Sequence, residues 1–276
     1  MTVQEWLTSA VRALKGVGIA SARLDAELLL AHTVRKPRTW LHAHGDDELT
    51  DRQHDIADAR LDLRLDRVPV AYIVGHKEFY GRRFKVTTAT LIPRPETEDL
   101  VGLIKQAVPA NVALLTDTPV RLVDVGTGSG ILGITAKLEH PELDVTLLDV
   151  SRHALQVAEE NAAALEVEVL CLQSDLLAQY PYVADIIVAN LPYVDEAWER
   201  SPETDHEPGL ALFAADGGKA LIFKLLDQTS SALAVNGHVI LEADPEQHAA
   251  LIAYGAKLKL AHVATDGYGV LLQKIA

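Results

Sequence analysis

Asn190 and the three residues after it, Leu191, Pro192 and Tyr193, hold the most specific chemistry in the chain. An Asn side-chain carbonyl and the main-chain carbonyl of the next residue set two acceptors side by side. That pair matches the two N–H groups of a planar NH2, either an amide or the exocyclic amine of a base. The face of Tyr193 can cover the same flat group. Such a site aims a weakly nucleophilic nitrogen at an electrophile by positioning, without a strong base. The same residues also suit a plain strand end followed by a turn, so the surrounding elements decide.

The run Ile186 to Ala189 reads as a buried strand. Pro192 cannot join a sheet ladder and restrains Leu191 to extended backbone. The strand therefore stops near Asn190, at the sheet edge where open α/β folds bind ligands. Upstream, Val120 to Val125 is a strand entering Gly126-Thr127-Gly128-Ser129-Gly130, and a helix runs from Ile131 to Leu138. The glycines let backbone approach a ligand at a helix N-terminus. A dinucleotide fingerprint would carry Gly or Ala where Ile131 stands, which argues against nicotinamide or flavin chemistry. The tighter spacing suits a nucleoside with an amino-acid tail. The next strand, 144–149, ends in Asp149, whose carboxylate can accept both ribose hydroxyls. Capping the following helix is the other use for Asp149, and Ser151 can do that instead. A third strand, 167–172, leads to Gln173-Ser174-Asp175, which can reach an adenine amine or form a plain turn.

The remaining chain supplies the frame. Residues 1 to about 68 read as helices: Trp6, Leu7, Ala10, Val11, Leu14 and Val17 on the first, then Leu24, Leu28, Leu29 and Leu30 after a Ser21 cap. Thr50 and Gln53 form a capping-box pattern opening a third, with Ile56, Leu61, Leu63 and Leu65. Residues 70–92 favour a β-hairpin turning at Gly81. The segment Pro93-Arg94-Pro95-Glu96-Thr97-Glu98 reads as a rigid linker or a lid, with Thr97 able to cap a helix through Leu100, Val101 and Ile104. A polar, proline-containing loop spans 195–205. A helix through Leu221, Ile222 and Leu225, a strand at 238–241, a helix at 247–254 and a terminal hairpin of 258–264 with 270–275 follow. The expected architecture is α/β: a seven-stranded doubly wound, Rossmann-like sheet with helices on both faces, plus an N-terminal helical bundle. The expected domains are 1–69, a hairpin linker 70–92, and 93–276.

A formal net charge of -14 argues against an extended nucleic-acid footprint. The single cysteine, Cys171, excludes an internal disulfide and a thiolate zinc site, and reads as a core thiol. His42 and His44 beside Asp46 and Asp47 match known ligand spacings poorly, so a solvated loop and no metal are expected. No apolar stretch reaches about 18 residues, so a soluble cytoplasmic protein without membrane contact is expected.

Taken in order, Gly-Thr-Gly-Ser-Gly, Asp149, Asp175 and Asn-x-Pro-Tyr resemble the class I S-adenosylmethionine-dependent amino-methyltransferases. Ile92-Pro-Arg-Pro-Glu-Thr-Glu98 narrows the resemblance to the release-factor glutamine N5-methyltransferases, the HemK or PrmC family. It covers nearly the whole chain, including Glu207-Pro208 and Gly217-Gly218. The resemblance implies S-adenosyl-L-methionine as cofactor and class 1 peptide chain release factors as protein substrate, methylated at the glutamine of a Gly-Gly-Gln loop. It implies that Gly126, Thr127, Gly128, Ser129 and Gly130 cradle the methionine part of the cofactor. Asp149 would bind ribose, and Asp175 with Leu176 would border adenine. Asn190, Leu191, Pro192 and Tyr193 would hold the substrate amide, Asn190 also contacting the cofactor, with Arg94 on the substrate side and Thr97 nearby. The family usually has Pro where this chain has Leu191; the group needed there is a backbone carbonyl, which Leu also has. Asn-Leu-Pro-Tyr also occurs in enzymes resembling rRNA adenine dimethyltransferases. An adenine-N6 methyltransferase and a ribosomal-protein glutamine methyltransferase are therefore the enzymatic alternatives, and a cofactor-binding module without turnover is the nonenzymatic one.

Overall fold

The structure is a computed structural model describing residues 1–108, 119–195 and 197–276. The chain forms two compact units, one of residues 1–76 with 201–206, the other of 77–200 with 207–276.

The first unit contains α1 (Val3–Gly16), α2 (Ala22–Val34), α3 (Arg38–Ala43), α4 (Asp51–Leu65) and α5 (Val70–Val74). Capping boxes at Thr2/Glu5 and Thr50/Gln53 satisfy the first amides of α1 and α4. Trp6, Leu7 and Leu14 pack against Leu29 and Leu30 in its core. Several expectations change here. Ser21 makes no side-chain cap; its hydroxyl donates to Asp25 at 3.0 Å. Val17 and Leu24 are exposed, and so are Ile56 and Leu63 on α4, which buries only Ala57 and Arg64. His42 lies in α3 rather than in a loop, and the His44 ring stacks on Trp40 at 4.1 Å between centroids. Residues 70–74 are helical, not strand, since Pro69 precedes the turn and Gly75 ends it at φ 77.

The hairpin itself is short, β1 (His76–Phe79) and β2 (Arg82–Lys85), with Thr87 to Thr90 forming a turn rather than more strand. Phe79 and Phe84 are buried in the core of the second unit. That unit continues with α6 (Glu98–Ala107), β3 (Arg121–Val125), α7 (Ile131–Glu139), β4 (Asp144–Asp149), α8 (Arg152–Ala164), β5 (Leu170–Gln173) and β6 (Ala184–Ala189). It closes with α9 (Ala220–Ala232), β7 (Leu233–Glu242), α10 (Pro245–Lys257), β8 (Leu260–Asp266) and β9 (Gly269–Lys274).

Among the described residues the large sheet has seven strands in the order β5-β4-β3-β6-β7-β9-β8. β3 pairs in parallel with both β4 and β6, so the strand order reverses there. β9 runs antiparallel between β7 and β8. Side chains alternate between two cores. Leu122, Ile186, Val188 and Ile240 face one, with residues of α6, α7 and α8. Val123, Val125, Ile187 and Leu241 face the other, with residues of α9 and α10. Both faces are thus covered, as a near-continuous apolar parallel strand requires.

Two strands differ in length from the sequence pattern. β5 starts at Leu170 rather than 167, because Glu166 at φ 55 and the Val167 amide on Ala162 still close the end of α8. β7 starts at Leu233, with Asn236 at φ 66 and a register shift before Ile186. Cys171 is half-buried, and burial pushes its thiol up to about 11, leaving it unreactive.

Candidate active site

The carboxyl ends of β3, β4, β5 and β6 open on one cavity, lined by Gly126, Gly128, Asp149, Leu176, Asn190 and Leu191 among others. This is the crevice that a reversal of strand order creates.

Gly126, Gly128 and Gly130 all have positive φ, of 71, 56 and 83. Their reasons differ. A Cβ on Gly126 would come within 2.7 Å of Leu191 Cδ2, and one on Gly130 within 2.6 Å of Ile134. Those two glycines serve packing. Gly128 faces open space, with nothing within 4 Å of such a Cβ, so this is where a ligand can approach the backbone. Thr127 and Ser129 are buried and absent from the cavity lining. The Thr127 hydroxyl donates to Asp124 at 2.6 Å, and the Ser129 carbonyl accepts from Asn161 at 2.8 Å. Gly130 likewise lies outside the lining.

Asp149 accepts from the Gly128 amide at 2.9 Å on Oδ2 and from the Ser151 amide at 2.8 Å on Oδ1. Each oxygen keeps lone-pair capacity for one hydroxyl of a vicinal diol. Burial raises the Asp149 pKa, and these amide bonds act against that. The α8 cap is Ser151, which accepts from Ala154 at 3.3 Å, so Asp149 is free of that task. Exposed Val150 adds an apolar surface beside it. The cavity thus offers a diol acceptor, an apolar wall and a bare backbone cradle in sequence. This donor and acceptor set fits an adenosyl amino acid.

At β5 the Ser174 hydroxyl donates to the Leu176 carbonyl at 2.6 Å, and Leu176 sits at φ 52. Asp175 lines the cavity, but its carboxylate pairs with Lys224 at 2.7 Å on the exposed side. Asp175 therefore contributes shape more than a free carboxylate.

Asn190 lines the cavity together with Leu191 and Pro192. Its Nδ2 donates to the Thr97 hydroxyl oxygen at 3.1 Å, which leaves Oδ1 as the acceptor end of the carboxamide. Thr97 is fully buried and stands at the N-cap position of α6, but its side chain makes no capping bond. Pro95 begins a 3-10 turn that enters α6 without a break, so Thr97 already has helical backbone and a hydroxyl free for other use. Tyr193 lies outside the lining; its hydroxyl donates to Glu242 Oε1 at 3.0 Å. Burial, then the Glu242 charge, raise its pKa, so it stays a neutral donor. Arg94 is also outside the lining and pairs with Glu207, whose other oxygen accepts the Ile92 amide at 3.0 Å. This ties the proline linker to the Glu207-Pro208 loop.

Two further residues hold this region, Glu242 and Gln247, neither of them singled out in the sequence. Glu242 ends an apolar strand, the same signal that marks Asp149 and Asn190. Gln247 donates to the Tyr193 carbonyl at 2.9 Å and the Gly217 carbonyl at 2.7 Å. A Cβ on Gly218 would come within 1.8 Å of the Tyr193 carbonyl oxygen, so the loop after β6 is held at close quarters. Among the described residues no group of at least three His, Cys, Asp or Glu could hold a metal, and no helix is long and apolar enough to cross a membrane.

The fold and cavity define a methyltransferase of the Rossmann-like, class I kind. A Pyrococcus furiosus methyltransferase superposes with a TM-score of 0.52 at 16% identity, covering 79% of this chain and 98% of that one. Residues 5–75 match the PrmC N-terminal domain and 110–205 the methyltransferase small domain. A release factor glutamine methyltransferase of Koribacter versatilis is 37% identical over 89% of each chain. One of Escherichia coli is 38% identical over 88% of this chain and 86% of its own. The chain belongs to the release factor glutamine methyltransferase family, and that membership implies use of S-adenosylmethionine.

Proposed function

We propose that the protein methylates the side-chain amide nitrogen of the glutamine in the Gly-Gly-Gln loop of class 1 peptide chain release factors. S-adenosylmethionine supplies an electrophilic methyl group. The observation that carries the reading is the fixed carboxamide of Asn190, lying in one cavity with Asp149 and open-faced Gly128. Gly128 and Asp149 would hold the cofactor by its amino-acid tail and ribose, and Leu176 and Val150 would border its base. Asn190 Oδ1 and the Leu191 carbonyl would accept from the two N–H bonds of the substrate amide. That amide is a poor nucleophile, since its lone pair is conjugated with its carbonyl. Two acceptors orient it and stabilise positive charge gathering on nitrogen. No base on the chain is required, since the methylated amide cation is acidic enough to lose its proton to water. Residues 1–69 would supply substrate recognition and 93–276 the transfer.

The test is label transfer from S-adenosylmethionine to a purified release factor, to its Gln→Ala loop variant, and to bare ribosomal RNA. Label on the wild-type factor alone is the expected result; label on RNA alone would mean an adenine substrate. Asn190→Ala should lower turnover on the order of 100-fold, as loss of a transition-state acceptor does. Calorimetry should show cofactor affinity changed by less than about 3-fold, the mark of a residue acting on substrate and transition state. Equal loss of both would overturn the role assigned to Asn190.

A further inference from the structure

A carboxamide is nearly symmetric in shape, so something must choose which end of Asn190 faces the substrate. The wrong end would present N–H donors to an NH2 that also donates. Thr97 alone cannot choose, because a hydroxyl both donates and accepts. Its proton could turn toward Asn190 and bond Oδ1 as readily as its lone pair bonds Nδ2.

Glu242 removes that freedom. It ends β7 with 1% of its surface exposed. Oε1 accepts the Tyr193 hydroxyl, and Oε2 is buried with no hydrogen-bond partner among the described residues. Burial pushes the Glu242 pKa up, and the Thr97, Tyr193 and Asn190 side chains act against that by favouring the carboxylate. A carboxylate only accepts. An ionised Glu242 would draw the Thr97 proton toward its unpartnered Oε2, which would leave the Thr97 oxygen as an acceptor for Asn190 Nδ2, the bond seen at 3.1 Å. Tyr193 supplies the other hydroxyl proton and cannot compete for Asn190.

We propose that Glu242 and Thr97 are positioning residues for methyl transfer: the carboxylate sets the direction of the Thr97 hydroxyl, which locks Asn190 with Oδ1 toward the substrate amide. The inference rests on the reading of the site as an amide methyltransferase. Neither residue touches the reacting atoms.

Thr97→Val keeps the shape and removes the hydroxyl, Thr97→Ser keeps the hydroxyl, and Glu242→Gln replaces a pure acceptor by a group that also donates. Thr97→Val and Glu242→Gln should each lower kcat by about 10-fold or more, the scale of one lost charge-assisted hydrogen bond. The Kd for S-adenosylmethionine should stay within about 2-fold, and Thr97→Ser should recover kcat to within about 3-fold of wild type. The double variant should be no worse than the worse single one, because both break one chain of bonds. Equal damage from Val and Ser, multiplying losses in the double variant, or a parallel fall in cofactor affinity would each overturn the proposal.

A second readout needs no turnover. In protein labelled with 15N-asparagine, the Asn190 side-chain NH2 should exchange slowly with water in wild type and Thr97→Ser, and quickly in Thr97→Val. Rapid exchange in all three overturns the lock. A wild-type enzyme that labels no release factor, yet shows this exchange pattern, would sink the functional reading and leave the orientation of Asn190 standing.

Discussion

Asp124 shows how much of this site lies one layer beneath its surface. Its carboxylate accepts the Thr127 hydroxyl at 2.6 Å and the Gly133 amide at 2.9 Å, so it ties the glycine loop to the helix that follows. Complete burial pushes it up to about 6, the two hydrogen bonds act against that, and the Asp149 charge adds to it. The folded state thus binds this proton more tightly than the unfolded chain, whose value is near 3.8. The stabilisation from that proton is full below about pH 4 and is lost as pH rises through about 6. Asp124→Asn keeps the shape and removes the titration. Urea unfolding of wild type should show stability falling across that window, by an amount on the order of a few kcal/mol at most. The Asn variant should show a shallower fall, and an unchanged slope would mean that other groups account for it.

Among elements, the glycine loop and α7 carry two kinds of glycine that only coordinates separate. A Cβ on Gly133 would sit 2.2 Å from Leu147 Cδ2, so Gly133→Ala should push α7 off β4. Overpacking of this kind costs about 1–3 kcal/mol, and thermal melting should report it. Gly128→Ala meets no atom within 4 Å and pays mainly for its φ of 56, about 1–2 kcal/mol. Its larger effect should be on cofactor affinity by calorimetry, since the methyl would occupy the ligand's path. Unchanged affinity would remove Gly128 from the cradle. The strand ends were legible in the sequence because each apolar run stops at a polar residue, as at Asp149 and Asn190. Glu242 obeys the same rule. Thr97 was not legible as a partner of Asn190: the two stand 93 residues apart, and a Thr before a helix reads as a cap. Pro95 changes how that helix begins. Val70 to Val74 was misread for a simpler reason. Five apolar residues suit strand or helix alike, and only Pro69 and Gly75 decide.

At the scale of the whole molecule, the chain belongs to the first unit twice. Residues 201–206 leave the sheet unit after β6 and are held there by charge. Glu203 accepts from Arg64 at 2.9 Å and Arg67 at 3.3 Å, and Arg64 also pairs with Asp25 at 2.8 Å. Burial would raise the Glu203 pKa, but bonds from Ser201, Arg64 and Arg67 bring it down to about 2, so it is ionised at neutral pH. Glu203→Gln should loosen the segment, and trypsin should cut after Arg200 several-fold faster while melting changes by only a few degrees. Cleavage at the wild-type rate would show that other bonds, such as His206 to the Asp66 carbonyl at 3.0 Å, suffice. The bundle is therefore not a detachable cassette. A chimaera that takes residues 1–76 from a relative inherits foreign partners for a glutamate that stays behind. The heritable module is 1–76 together with 201–206, and a graft that exchanges this unit has to move both pieces at once.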